Sequence, residues 1–114
     1  MDKFSVLQQY FGHSSFRPGQ EQVVDAIVSG QDVLGVMPTG AGKSVCYQVP
    51  AIARQRAGLG GTLVISPLIA LMHDQVGALH EAGVAAAFLN STLDWEQTQD
   101  IERQLLAGQL TLLY

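Results

Sequence analysis

The chain is read as an α/β domain with a parallel sheet covered by helices on both faces. Two observations predict this. Short apolar runs (Val33–Met37, Thr62–Ile65, Val84–Leu89 and Leu110–Tyr114) alternate with segments whose apolar residues repeat at helical spacing. Each run is continuously apolar rather than alternating, the pattern of strands buried on both faces of a parallel sheet. A third observation places a Gly-rich turn, Pro38–Gly42, between the first run and a helix.

The elements follow in order. Val6, Leu7, Tyr10 and Phe11 mark a first helix that stops at Gly12. Pro18 suits the first turn of a second helix. Val23, Val24, Ile27 and Val28 form its apolar face, and Gly30 its exit. After the Val33–Met37 strand, a helix is expected from Gly42 toward Arg56, with Pro50 bending or interrupting it. Gly60-Gly61 leads to the second strand, which Ser66-Pro67 closes. Leu68–Ala82 reads as a helix ending at Gly83. The third strand ends at Asn90-Ser91-Thr92. Asp94–Ala107 reads as a polar-faced helix closed by Gly108, with Trp95, Ile101 and Leu105 as its apolar, packing members. Ligands of open parallel sheets bind at the carboxyl ends of strands. Here those ends carry Pro38–Lys43, Ser66-Pro67 and Asn90-Ser91-Thr92.

Composition narrows the function classes. The 114 residues suffice for one small domain, and 47% are hydrophobic against 14% charged. A net charge of -4 argues against holding nucleic acid by bulk electrostatics, though not against contacts through backbone amides and hydroxyls. The single cysteine, Cys46, excludes an internal disulfide, and a buried structural role on its helix is expected. With no signal-like start and no membrane-length apolar run, a cytoplasmic protein without membrane contact is the expectation.

Met37-Pro38-Thr39-Gly40-Ala41-Gly42-Lys43-Ser44 carries the chemistry. Thr39, Gly40, Ala41 and Gly42 can turn successive backbone N–H groups inward around phosphate oxygens. The positive end of the following helix adds to that field. Lys43 adds a mobile charge for the β- and γ-phosphates, and the Ser44 hydroxyl suits Mg²⁺. The pattern departs from a strict P-loop at Met37, where Gly is usual.

Together these residues resemble the N-terminal part of a RecQ-family DNA helicase of superfamily 2. Phe11-Gly12 with Phe16-Arg17-Pro18-Gly19-Gln20 is similar to that family's motif 0. The Met37–Ser44 stretch with Cys46-Tyr47-Gln48 and Pro50-Ala51 is similar to motif I, and superfamily 2 tolerates a non-Gly residue at Met37. Ser66-Pro67-Leu68-Ile69-Ala70-Leu71-Met72 with Asp74-Gln75-Val76 is similar to motif Ia, and Leu89-Asn90-Ser91-Thr92 also fits.

The resemblance implies a partial RecA-like P-loop NTPase fold. Residues 1–114 would be the N-terminal part of the first motor domain, with a helical region of about 1–30 carrying motif 0. It implies ATP and Mg²⁺ as cofactors and single-stranded or duplex DNA as partner, in a 3′-5′ helicase. Gln20 would read adenine, accepting from N6 and donating to N7. Arg17 would stack on the base, and His13 stands where the family commonly has an aromatic residue. Ser66 and Pro67, at a helix N-terminus, would touch the DNA backbone. Asn90 and Ser91 would contact DNA or cap the helix near Asp94. His73 and His80 are read as surface or packing residues. The family's Asp-Glu-x-His carboxylate motif does not occur in these 114 residues, so the chain by itself is expected to be inactive. Alternatives are another superfamily 2 helicase acting on RNA, or a non-catalytic nucleotide-binding piece.

Overall fold

The computed structural model describes residues 2–38 and 42–114. Its contacts group into two compact units, Met1–Leu59 and Gly60–Tyr114.

The first unit is helical: α1 (Lys3–Phe11), α2 (Gln20–Val28) and α3 (Lys43–Arg56). The Asp2 side chain accepts from Ser5 N–H and caps α1. Gly12, at φ 73, ends it in the left-handed region where a glycine costs least. α2 begins two residues beyond Pro18, at Gln20. Gly19 is its N-cap, so Pro18 lies outside the helix rather than in its first turn. α3 runs through Pro50 without a break. The proline removes one backbone donor, but its ring is fully buried, and that packing offsets part of the loss. α2 and α1 both pack on α3. Val6, Leu7, Val24 and Val49 meet in this core at 1% exposure or less. Full burial of such side chains contributes about 1.5–3 kcal/mol each. Lys3 ties α1 to α2 through Glu21 at 2.8 Å and Asp25 at 2.6 Å, and Arg56 of α3 reaches the Tyr10 hydroxyl of α1.

One expectation in this unit fails. Val33–Met37 forms no strand, and residues 31–38 are irregular. Leu34 is 91% and Val36 87% exposed. A strand exists by hydrogen bonds to a neighbour, and an apolar run without one cannot satisfy its backbone in a ladder. The segment is nonetheless placed at two points. A Cβ on Gly35 would lie 3.8 Å from Val23, and one on Gly19 would lie 3.7 Å from Met37 Cε.

The second unit holds the sheet. β1 (Thr62–Leu63), β2 (Ala86–Ala87) and β3 (Leu112–Leu113) pair in the order β1-β3-β2, all parallel. They are shorter than the apolar runs that announce them. Single bonds extend the ladder, from Val64 N–H to Leu113 O and from Leu89 N–H to Tyr114 O. β3 is central, and Leu110 through Tyr114 are all buried. β1 is half open: Leu63 is 64% exposed, and Ile65, just beyond the strand, is 94% exposed. α4 (Ile69–Glu81) packs on β2. His80 of α4 donates through Nε2 to the Ala86 carbonyl at 2.6 Å, and the His73 ring lies 5.7 Å from that of Phe88. The two histidines therefore pack against β2 and the residue that follows it. α5 (Trp95–Leu106) opens with a capping box: Asp94 accepts from Gln97 N–H, and Gln97 accepts from Asp94 N–H. Trp95 is not a packing residue; it is 75% exposed. It lies in the first turn of α5, whose half-buried residues are Thr98, Gln99, Ile101, Gln104 and Leu105.

Candidate nucleotide-binding site

In the first unit, motif 0 and the end of the Gly-rich turn converge on Gln20. This side chain opens α2 and is only 4% exposed. Its Oε1 accepts from Arg17 N–H at 2.7 Å, and its Nε2 donates to the Gly42 carbonyl at 3.0 Å. A buried primary amide without partners would cost about 1–3 kcal/mol, so these bonds are what allow a glutamine at this depth. They also join α2 to the residue that starts α3. A primary amide can donate twice and accept twice, the chemistry that reading adenine needs.

Gly42 is the N-cap of α3 at φ 77 and ψ 43, a left-handed conformation that L side chains rarely adopt. A Cβ there would lie 2.4 Å from Gln20 Nε2 and 3.7 Å from an Arg17 guanidinium nitrogen. The lack of a side chain at Gly42 is therefore required twice, by the backbone and by the amide beside it. Lys43 and Ser44 are the first two residues of α3. Thr39, Gly40 and Ala41 lie outside the described residues.

Beside Gln20 is a cavity of about 230 Å³ lined by Leu7, His13, Ser15, Arg17, Gln20, Gly42 and Val45. The three residues assigned to the base thus line one pocket with the start of α3. Leu7 was marked in the sequence only as a helix-face residue, and Ser15 and Val45 not at all, since no motif ties these three to the pocket. Cys46 sits one turn into α3, its Sγ 3.9 Å from Met37 Sδ and 4.0 Å from the Gly42 carbonyl. Burial pushes its thiol pKa up, so it is a packing group here.

Helix N-termini separate into two kinds. α1 and α5 are capped by Asp2 and Asp94, whose carboxylates occupy the donor end. α2, α3 and α4 have Gly19, Gly42 and Leu68 at the N-cap with no side-chain cap bond. These are the termini that motifs 0, I and Ia reach. At α3, with no side-chain cap and no acid in the first turn, the positive end of the helix dipole favours an anion.

In the second unit, Ser66 Oγ accepts from Leu68 N–H at 3.3 Å and shapes the turn into α4. Ser66 is half-buried and Pro67 exposed. Asn90 Oδ1 accepts from Thr92 N–H at 2.9 Å and from the Thr92 hydroxyl at 2.5 Å. Asn90 therefore closes a local turn, Ser91 is exposed, and the α5 cap is Asp94 itself. No cluster of three or more metal-type side chains occurs among the described residues. No helix of the described residues is long and apolar enough to cross a membrane.

The DEAD/DEAH box helicase family model matches residues 17–114. The chain belongs to that family. The RecQ resemblance is borne out as well. An ATP-dependent DNA helicase RecQ of Haemophilus influenzae is 54% identical over 110 residues, which cover 96% of this chain and 17% of that protein. A Bacillus subtilis RecQ is 44% identical over 111 residues, 96% of this chain and 18% of that protein. Human ATP-dependent DNA helicase Q4 is 44% identical over 110 residues, 96% of this chain and 9% of that protein. The chain spans less than a fifth of the length of these relatives. A DEAD/DEAH box helicase family implies nucleotide binding.

Proposed function

We propose that this chain is the ATP-binding segment of an ATP-dependent 3′-5′ DNA helicase that couples hydrolysis to unwinding. The observation that carries the reading is the Gln20 amide, buried and bonded to Gly42 beside a pocket lined by His13 and Arg17. The names of the relatives support DNA rather than RNA as the substrate. That substrate implies an intracellular, DNA-associated setting.

The residues fit a nucleotide. The adenine ring would enter the His13–Arg17 pocket, and the Gln20 amide would accept from N6 and donate to N7 on its Hoogsteen edge. Thr39, Gly40, Ala41, Gly42 and the open end of α3 would take the phosphates, and Lys43 would neutralise the β- and γ-phosphates. Ser44 would supply one oxygen to Mg²⁺. The other ligands would come from phosphate, water and a carboxylate that these 114 residues do not provide, because Mg²⁺ keeps few protein ligands. In the second unit, Ser66 and Pro67 with the uncapped α4 terminus suit the backbone of single-stranded DNA, as does the exposed Ser91 beside Asn90.

The test is Lys43→Ala in a full-length protein carrying this segment. ATP hydrolysis and unwinding should fall to background while circular dichroism stays unchanged, since Lys43 is exposed. Charge-assisted bonds are worth about 1.5–3 kcal/mol in the ground state, and more where transition-state charge develops. Near-normal ATPase in a folded variant would overturn the assignment.

A further inference from the structure

Among the described residues, α5 is the helix with no fully buried member. It is not a frayed element, because the Asp94–Gln97 capping box starts it and Gly108, at φ 71, follows its C-cap. Its half-buried residues are Thr98, Gln99, Ile101, Gln104 and Leu105. Trp95, Gln99, Glu102 and Leu106 follow one another at i, i+4, i+7 and i+11, which aligns them along a single stripe. The two ends of the stripe are apolar and bare, Trp95 at 75% and Leu106 at 88% exposure. At 1.5 Å per residue they stand about 16 Å apart.

The charge around this stripe is one-sided. Asp94, Glu96, Asp100 and Glu102 face one cation, Arg103, whose guanidinium is 3.6 Å from Asp100. That is a net of three negative charges on a helix of a chain whose total is -4. Asp94 fills the donor end of the helix, and Glu96 adds a carboxylate in its first turn. Phosphate is repelled here, so the face does not suit nucleic acid. A large aromatic anchor, an aliphatic anchor and an acidic border together complement a cationic protein surface with apolar side chains.

We propose that the Trp95–Leu106 stripe of α5 is a docking face for a basic amphipathic segment of a partner protein. Trp95 and Leu106 are the apolar anchors, and Glu96 and Glu102 are the charges that select the partner. The inference is independent of the nucleotide site.

Trp95 is the one tryptophan in the 114 residues, so its emission reports on this face directly. The probe is a synthetic helical Lys/Leu peptide with its leucines on one face. It should shift Trp95 emission to the blue, and affinity should fall at least tenfold when salt is raised. By anisotropy of labelled peptide, Trp95→Ala with Leu106→Ala should weaken binding at least tenfold, and Glu96→Lys with Glu102→Lys likewise. Trp95→Phe should bind as the parent does. These positions are exposed, so circular dichroism should be unchanged throughout. Equal binding of a Lys/Ser peptide of the same charge would reduce the effect to bulk electrostatics and overturn the proposal. So would unchanged binding by the alanine pair, or an equal shift of Trp95 with oligo(dT), which would make the face a nucleic-acid surface.

Discussion

Gln20 does two jobs with one side chain. Its bonds to Arg17 N–H and the Gly42 carbonyl tie the start of α2 to the start of α3, and the same amide edges the pocket that His13 and Arg17 line. Removing it should therefore act on stability and on nucleotide choice together. In a full-length protein carrying this segment, Gln20→Ala should lower kcat/KM for ATP and narrow the preference for ATP over GTP. Guanine presents an acceptor where adenine presents its N6 donor, so discrimination rests on the amide's orientation. It should also cost about 1–3 kcal/mol, because Gly42 O and Arg17 N–H lose a buried partner. Comparing both nucleotides in wild type and variant checks this; an unchanged ATP:GTP ratio would mean that the base is read elsewhere. Gln20 was recognisable from its place in Arg17-Pro18-Gly19-Gln20. Its bond to Gly42 was not, because that partner is 22 residues away and no local rule joins them.

At the scale of elements, every helix lies close to where spacing puts it, and each ends at or just before the expected glycine or arginine. Helices are local: their hydrogen bonds, caps and apolar stripes are written within a dozen residues. Strands are not. Three of the four apolar runs pair and the fourth, Val33–Met37, does not. Within the sheet, Gly61 marks the tightest approach. A Cβ there would stand 2.8 Å from the Leu110 carbonyl oxygen, a backbone atom that moves only with β3. Gly61→Ala should push β1 away from β3 and destabilise the protein by about 1–3 kcal/mol, the usual cost of overpacking. Urea unfolding with the midpoint as readout tests this, and a variant as stable as wild type would show that the β1–β3 ladder tolerates the shift.

For the whole molecule, exposure decides behaviour. Leu34 and Val36 in the first unit, and Leu63 on β1 with Ile65 just beyond it in the second, leave apolar surface in water. Apolar runs and open strand edges of this kind promote association. The 114-residue chain should self-associate with rising concentration and unfold over a broad range. Light scattering and thermal unfolding check this, and a monomer with a sharp cooperative transition would refute it. The chain should also fail to hydrolyse ATP, since no Asp-Glu-x-His carboxylate is present to complete a metal site. Magnesium-dependent turnover lost on Lys43→Ala would show that prediction wrong.

The sequence by itself determined the α/β class, the parallel strands, the five helices and the family, because periodicity, turn glycines and ordered motifs are local signals. It also assigned His13, Arg17, Gln20, Gly42, Lys43 and Ser44 to one site. Tertiary structure decided what depends on distant neighbours. The Gln20 amide is shared with Gly42. Val33–Met37 stays irregular, because a strand needs a partner to take its backbone bonds. Trp95 faces water, because helical spacing fixes that a residue shares a face with others but not which face the fold covers.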